Sequence, residues 1–386
     1  MNTYEALRIA TDKALLAGGR CLYKVSGGKM AKIMFSQQVR TTNVGSDVKI
    51  LAEDEDSVTI AKVDKNGNIK NNGFRILSST DFHFGDDPAL RFKCMDMFMK
   101  HIKATRPDLV VLTGDIIQSK FQHFDCIQFG QFMEEIGVYW AFVFGNHEAR
   151  EEKGRFKHLL MTCQTHFPHC LARQGKEELF GYGNYCINIM KSENEILKTL
   201  FMFDSGRDVI PEYVKSHGAP EDIINYDFIK NNQMDWYKNK ITALKEQYGD
   251  VKSFMYMHIP LKEYENAIIP EKDENGLFPF TGKCEIIYGN AYETVGSSQF
   301  NSGMFSLIKE LGSTEAVFSG HDHVNDFCAL YDGVYLVYNQ TGGYETYTLD
   351  EKCDCDEKDW PQGVTITDIE PDGTFDISRR FSSMYL

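Results

Sequence analysis

The sequence lacks long apolar runs and any sign of an export signal. No apolar run of about 20 residues, the length that a membrane-spanning helix needs, occurs among its 386 residues. Residues 1–7 are polar and acidic, where a secretory segment has a basic start and an apolar middle. The ten cysteines lack the dense spacing of a disulfide scaffold. We therefore expect a protein without a membrane association, located in the cytoplasm.

A surplus of positive charge is also missing, since the formal net charge is -15. Nucleic-acid binders capture phosphate backbones largely with surplus lysine and arginine, so the charge argues against that class. An anionic substrate would need a local source of positive charge in such a protein. Bound divalent metal ions would supply it.

The chain has no internal repeat, and its pattern changes near residue 73. Residues 1–72 are predicted to form an N-terminal appendage, made of a helix over 4–16 and a β-hairpin whose turn contains Asn66 and Gly67. Residues 73–386 alternate strands and helices and are predicted to form the main domain.

Three apolar strands open the main domain, at residues 74–80, 109–112 and 138–144. Helical patterns over 89–104 and 121–136 separate them, which predicts a parallel βαβαβ unit and an α/β fold. Later strands are predicted at 200–203, 253–257 and 315–318, and β-rich patterning after residue 327 predicts a second sheet.

Several of these strands end in polar side chains that can bind metal ions. The carboxyl ends of parallel strands converge on one edge of a sheet, so these side chains are expected to lie together. They are Asp81 and His83, Asp115, Asn146 and His147, His258, and His321 and His323.

Each of these residues alone has an ordinary explanation. An aspartate after a strand and a glycine, such as Asp115, often caps the next helix, and buried histidines are often satisfied by the core. The pairs Asp81 with His83 and His321 with His323 have a two-residue spacing, which in a strand puts both side chains on one side. Because five strands end in this way, coincidence is a poor explanation.

The number of donors predicts the number of metal ions. Seven oxygen or imidazole donors are too many for one zinc-like ion, but they suit two ions that share a carboxylate, and Asp115 in the middle strand is the expected bridge. No cysteine is among them, so zinc, manganese or iron is expected. Two such ions, about 3.5–4 Å apart, activate a bridging hydroxide for attack on phosphorus, which predicts phosphoester hydrolysis with Asp115 and His147 as the catalytic residues.

His147 follows Asn146 and should therefore point in another direction. It is free to protonate the leaving oxygen or to stabilise charge on the phosphoryl group. The alternative is that it orients the ligands through hydrogen bonds. Glu148 is expected to support this group of side chains.

Taken in order, these blocks resemble the signature of calcineurin-like metallophosphoesterases, over roughly residues 74–330. The blocks are Asp81-Phe82-His83, Gly114-Asp115, Gly145-Asn146-His147-Glu148, His258 and Gly320-His321-Asp322-His323. The resemblance implies a four-layer αββα sandwich of two mixed sheets, with residues 73–386 as the catalytic domain. It also implies one metal ion held by Asp81, His83, Asp115 and His323, and another held by Asp115, Asn146, His258 and His321.

Finer matches resemble a small branch related to the plant purple acid phosphatases 28 and 29. They include residues 181–185, 204–206 and 321–327, together with Gln233 and Trp236. Purple acid phosphatases proper carry a metal-binding tyrosine three residues after the bridging aspartate, where this chain has Gln118, so the purple colour of a ferric site should be missing. The Asp-Arg-Gly of serine/threonine protein phosphatases is also absent after Asp115, which argues against that activity.

The sequence thus predicts a dinuclear-metal hydrolase of a small phosphomonoester or phosphodiester. Two alternatives remain: a non-catalytic protein-interaction module on the same fold, and a nuclease. The walls of a substrate pocket are expected between His258 and Phe305, with Tyr288, Tyr292 and Asn301 as candidate contacts. Lys262 and Arg150 are candidate sources of positive charge, and each is also compatible with an ordinary surface position.

Overall fold

The structure is a computed structural model that describes residues 47–385, apart from 86, 120–121, 149–156, 158–159, 162–163, 210–225 and 348–361. The helix predicted over 4–16 and the candidate Arg150 lie outside the described residues.

The strands are numbered along the chain. They are β1 (Val48–Glu53), β2 (Ser57–Lys62), β3 (Phe74–Ser79), β4 (Leu109–Thr113), β5 (Tyr139–Val143), β6 (Tyr185–Ser192), β7 (Glu195–Met202), β8 (Ser253–Tyr256), β9 (Cys284–Tyr288), β10 (Thr314–Ser319), β11 (Cys328–Tyr331), β12 (Val334–Tyr338), β13 (Gly363–Ile369) and β14 (Phe375–Phe381). The helices that frame the sheets are α1 (Pro88–Thr105), α2 (Gln122–Ile136), α3 (Asn231–Tyr248) and α4 (Met304–Leu311).

The smaller sheet has the order β14-β13-β3-β4-β5. Its strands β3, β4 and β5 are parallel and are joined through α1 and α2, which confirms the predicted βαβαβ unit. Helix α1 begins where it does because the Asp87 side chain accepts the Ala89 N–H at 2.8 Å, and it ends at Arg106, which adopts a left-handed conformation.

The larger sheet has the order β1-β2-β6-β7-β8-β10-β12-β11-β9 and mixes parallel with antiparallel pairs. Strand β2 pairs in parallel with β6, so the hairpin of β1 and β2 forms one edge of this sheet. The turn between β1 and β2 is at residues 54–56, where Trp236 of α3 donates from Nε1 to Asp56 at 2.9 Å. A separate turn at Asn66 and Gly67 lies between Val63 and Ile69, which form an antiparallel bridge. The domain boundary predicted near residue 73 stays a prediction, although residues 48–62 are built into the sheet.

The two sheets pack face to face and are covered by helices on their outer sides. One buried apolar cluster joins Leu77 and Val111 of the smaller sheet to Tyr256 and Phe318 of the larger one. A second cluster packs α3 and α4 against the outer face of the larger sheet. The predicted four-layer αββα sandwich of two mixed sheets is therefore confirmed. None of the described helices is long and apolar enough to cross a membrane.

Candidate metal centre

The predicted donors lie on loops that follow β3, β4, β5, β8 and β10, strands that belong to both sheets. A hydrogen bond joins the two sheets here, because His258 Nδ1 donates to the Thr113 carbonyl at 2.7 Å. The loops therefore meet at one end of the sandwich, as the strand-end argument predicted.

The backbone of this region is strained. Six described residues other than glycine have a positive φ, and four of them are predicted metal ligands: Asp81 (51°), His83 (43°), Asp115 (48°) and His321 (78°). Such conformations are uncommon outside glycine and cost about 1–3 kcal/mol each, so they persist mainly at functional sites. These positive φ values also correct the prediction based on the two-residue spacing. The pairs Asp81 with His83 and His321 with His323 lie beyond the ends of β3 and β10, so left-handed turns, and not the alternation of a strand, direct their side chains.

The first group of donors consists of Asp81, His83 and His323. Oδ1 of Asp81 lies 3.4 Å from His83 Nε2 and 3.3 Å from His323 Nε2, and these two nitrogens are 3.1 Å apart. Ligands held tetrahedrally at about 2.0–2.1 Å from one ion lie about 3.3 Å from one another. Oδ1 of Asp81 is buried and has no hydrogen-bond partner within the described part of the chain. The donors present here fit a metal ion.

The second group contains Asp115, Asn146, His258 and His321. From His258 Nε2, the distances are 3.2 Å to Asp115 Oδ2, 3.0 Å to Asn146 Oδ1 and 3.3 Å to His321 Nδ1. Asp115 Oδ2 is also 3.7 Å from His83 Nε2 in the first group. Asp115 therefore lies between the two groups, where a bridging carboxylate is expected.

Hydrogen bonds fix which nitrogen of two histidines faces the centre. His83 Nδ1 contacts the Oε1 atom of Gln118, and His258 Nδ1 contacts the Thr113 carbonyl; both partners are acceptors. In its neutral form, each ring must therefore carry its proton on Nδ1, which directs the lone pair of Nε2 at the centre. The nearby carboxylates favour the charged form of both rings in the metal-free protein, so a metal ion would bind with release of the Nε2 protons.

The electrostatics of the centre call for a cation. Burial alone would raise the pKa of the Asp115 carboxyl, but the neighbouring His258 holds it well below its usual range. Burial alone would lower the pKa of His258, yet Asp115 and Asp81 raise it to about 10. Burial and the adjacent His258 lower the pKa of His321 to about 3, which keeps that ring neutral. The negative charge of the buried carboxylates is thus balanced here by protonated histidine, and a bound metal ion would balance it in the same way.

His147 stands at the rim of the centre. Its backbone N–H donates to Asp115 Oδ1 at 2.7 Å, while its Nε2 lies 3.8 Å from Asp115 Oδ2. The side chain is 22% exposed, in contrast to the buried Asp115 and His83 beside it. This imidazole is therefore accessible from solvent.

Three aromatic and amide contacts around the donors did not follow from the sequence. The Tyr347 ring stacks on His323 with centroids 4.4 Å apart, and the Tyr226 ring meets His321 edge-on at 4.3 Å. Gln118 stands where purple acid phosphatases proper carry a tyrosine, and nothing in the sequence indicates its contact with His83. No local pattern carries this information, because the partners of both tyrosines lie on other segments of the chain.

The candidate pocket residues separate into two sets. Lys262 and Asn301 line a partly open cleft that also includes Ile259, the residue after His258. Tyr288 lies elsewhere and is packed under Arg379, and the Tyr292 hydroxyl accepts from Asn290 at 3.1 Å. Lys262 forms an ion pair with Glu265 at 2.7 Å, so its charge is partly offset.

Comparison with known proteins agrees with this geometry. The family model described as calcineurin-like phosphoesterase matches residues 74–325. A protein of Arabidopsis thaliana named "Probable inactive purple acid phosphatase 29" is 29% identical over 312 residues, which cover 72% of this chain and 74% of that protein. "Phosphatase DCR2" of Saccharomyces cerevisiae is 26% identical over 306 residues, covering 70% of this chain and 48% of that protein.

A crystal structure of a dimetal phosphatase from Danio rerio superposes with a TM-score of 0.51. It covers 81% of this chain and 97% of that one, at 13% sequence identity. At this level of identity, the likeness shows a shared fold.

Proposed function

Because this chain belongs to the calcineurin-like phosphoesterase family, we propose that it is a dinuclear-metal hydrolase of a small phosphomonoester or phosphodiester. The convergence of seven donors on two overlapping groups that share Asp115 supports this proposal most strongly. When bound, two ions supply an activated water and a clamp for the charge that develops in an in-line displacement at phosphorus.

In this proposal, Asp81, His83, Asp115 and His323 hold one ion, and Asp115, Asn146, His258 and His321 hold the other. Zinc, manganese and iron suit such oxygen and imidazole donors. Gln118 and Thr113 keep the His83 and His258 rings in the required tautomer. Asp115 is buried, whereas Asn146, His147 and His321 are partly exposed, so solvent reaches the centre on their side.

His147 is proposed to donate a proton to the oxygen of the leaving alcohol. Its partial exposure and the distance of 3.8 Å from its Nε2 atom to Asp115 Oδ2 support this role. Proton donation by a positioned imidazole typically contributes about 10²–10⁴-fold to the rate.

The second candidate function is a non-catalytic protein-interaction module. The name of the Arabidopsis relative, which calls that protein probably inactive, favours this candidate. Against it, this chain keeps every donor and holds four of them in strained conformations. A binding surface has no need for that strain.

Nuclease action remains disfavoured by the net charge of -15, and tight salt-dependent binding of DNA would favour it again. The cytoplasmic location stays a prediction.

Hydrolysis of p-nitrophenyl phosphate and bis(p-nitrophenyl) phosphate by protein loaded with manganese or zinc tests the proposal. We expect turnover by the wild type and a loss of at least about 100-fold in Asp115→Asn, because the shared carboxylate is gone. Asp235→Asn, the same chemical change on the exposed face of α3, is the matched control and should retain full activity. No turnover by the loaded wild type, or full turnover by Asp115→Asn, would contradict the proposal.

A further inference from the structure

A small cleft opens beside the second group of donors. Its walls come from Ser205, the segment 227–229, the segment 259–263, Ser298 and the segment 300–302. It encloses about 20 Å³, whereas one water molecule needs about 10–15 Å³. The enclosed part therefore admits a group of the size of a hydroxyl or hydroxymethyl, and it excludes an aromatic ring or a peptide chain.

Two contacts connect the cleft to the metal centre. The Ile259 N–H donates to Ser205 Oγ at 3.0 Å, and Ile259 directly follows His258. On the other wall, Asp227 directly follows Tyr226, whose ring meets the His321 ring at 4.3 Å. Because consecutive Cα atoms are about 3.8 Å apart, each wall begins close to His258 or His321. A short organic chain can span the distance from these donors to the cleft.

One residue of the cleft wall, Asp227, carries a buried acceptor without a partner among the residues that the structure describes. Asp227 is 2% exposed, and its Oδ1 atom is engaged by the Lys230 ammonium and by the Phe228 N–H at 3.0 Å. Its Oδ2 atom has no hydrogen-bond partner among the residues that the structure describes. A buried acceptor of this kind costs free energy unless a ligand or water supplies a donor.

The charges around Asp227 favour a neutral donor. Lys230 is fully buried against this carboxylate, and so balances its charge. Among the cleft residues, Glu263 accepts from Asn301 Nδ2 at 2.8 Å, a neutral donor that engages one oxygen without balancing its charge. At Asp227, an added ammonium group would place a second cation beside Lys230, whereas a hydroxyl group would satisfy Oδ2. The apolar walls formed by Phe228 and Phe300, whose rings are 4.8 Å apart, suit the carbon atoms that carry such a hydroxyl.

We propose that this cleft takes the hydroxyl-bearing end of the alcohol part of the substrate, and that the substrate is a phosphate ester of a small polyol with one hydroxyl donating to Asp227 Oδ2. The proposal rests on the phosphoester hydrolase function proposed above. It narrows the substrate class, because an alcohol without a further hydroxyl would leave Oδ2 unsatisfied.

The kinetic test compares two substrates with the same three-carbon chain, glycerol 3-phosphate and n-propyl phosphate. For the metal-loaded wild type, kcat/KM should be about 10–100-fold higher for glycerol 3-phosphate, the discrimination typical of one hydrogen bond to a charged acceptor. In Asp227→Asn, an amide replaces the carboxylate, and the ratio should fall to within about threefold of one. Asp108→Asn, which also changes an ion-paired aspartate but lies before β4 at the far end of the sheet, should keep the wild-type ratio.

The buried Lys230 loses its charged partner in Asp227→Asn, which can prevent folding, so a second variant provides an independent test. Phe300→Ala leaves that ion pair intact and opens the cleft to water, so it should lower the ratio as well. A wild-type ratio near one would overturn the proposal without any variant. An undiminished ratio in a folded Asp227→Asn would overturn it equally.

A binding measurement separates this proposal from the hydrolase function. Calorimetry of the loaded protein with 3,4-dihydroxybutylphosphonate and butylphosphonate, which are not hydrolysed, should show at least about tenfold tighter binding of the hydroxylated compound. If aryl phosphates are not turned over but this preference is present and is lost in Asp227→Asn, the hydrolase function fails and the cleft assignment stands. If aryl phosphates are turned over but the two phosphonates bind equally, the cleft assignment fails and the hydrolase function stands.

Discussion

The Glu148 carboxylate accepts the backbone N–H of Asp115 at 3.0 Å. The same buried side chain accepts the Gly145 N–H at 2.7 Å and the Ile117 N–H at 2.9 Å. One side chain therefore holds the loop after β4 against the loop after β5. These loops carry Asp115 and Asn146, so Glu148 positions proposed donors of both groups through their backbone.

Glu148→Gln should weaken metal binding by about 10–100-fold, the usual effect of removing a residue that orients ligands. The amide can accept through only one oxygen, and its NH2 group would face a backbone N–H donor. Metal titration followed by calorimetry measures the change. Glu193→Gln, on an exposed turn, is the control and should bind metal as the wild type does. Unchanged affinity in Glu148→Gln would show that the two loops hold their positions without this contact.

Gln118→Met should lower the affinity for the first metal ion by about tenfold, because His83 Nδ1 loses the acceptor that fixes its tautomer. Gln118→Glu keeps an acceptor at this position and should retain most of the affinity. Titration of both variants with zinc separates the hydrogen-bond effect from a change in packing. Equal losses in the two variants would assign Gln118 a packing role.

His147→Asn should distinguish proton donation from a purely orienting role. If the imidazole protonates the leaving oxygen, turnover of an alkyl phosphate falls by about 10²–10⁴-fold, while p-nitrophenyl phosphate, whose leaving group needs no proton, loses far less. The comparison is made at matched metal content. An equal loss on both substrates, together with reduced metal content, would support the orienting role.

His101 makes the stability of the metal-free protein depend on pH. It is buried in α1, and burial lowers its pKa to about 4 from an ordinary value near 6.5. The unfolded chain therefore binds more protons between these values, and the free energy of unfolding falls as pH drops from 6.5 towards 4, by up to about 3 kcal/mol. Urea unfolding of the wild type and of His101→Gln at pH 7 and pH 4 isolates this contribution. A difference between the two proteins that does not change with pH would contradict the assignment.

The sequence carried much of the information about the donors because they follow strand ends, which local apolar patterns reveal. It could not reveal contacts between distant segments. The pairing of β2 with β6 spans more than a hundred residues, so no local pattern indicates that β2 joins the larger sheet. Likewise, Asp227 does not follow a predicted strand, and its proposed role depends on the cleft that distant segments of the chain form around it. The left-handed turns at Asp81 and Asp115 were also hidden, since they arise from tertiary constraints against local preference.

The number of metal ions bound per chain decides whether the centre is dinuclear. Protein loaded with manganese and freed of excess metal should contain two equivalents per chain, and anomalous diffraction should place them on either side of the Asp115 carboxylate. One ion should lie near His83 and His323, and the other near His258 and His321. A single ion, or none at these positions, would contradict the dinuclear centre on which the proposed hydrolase function depends.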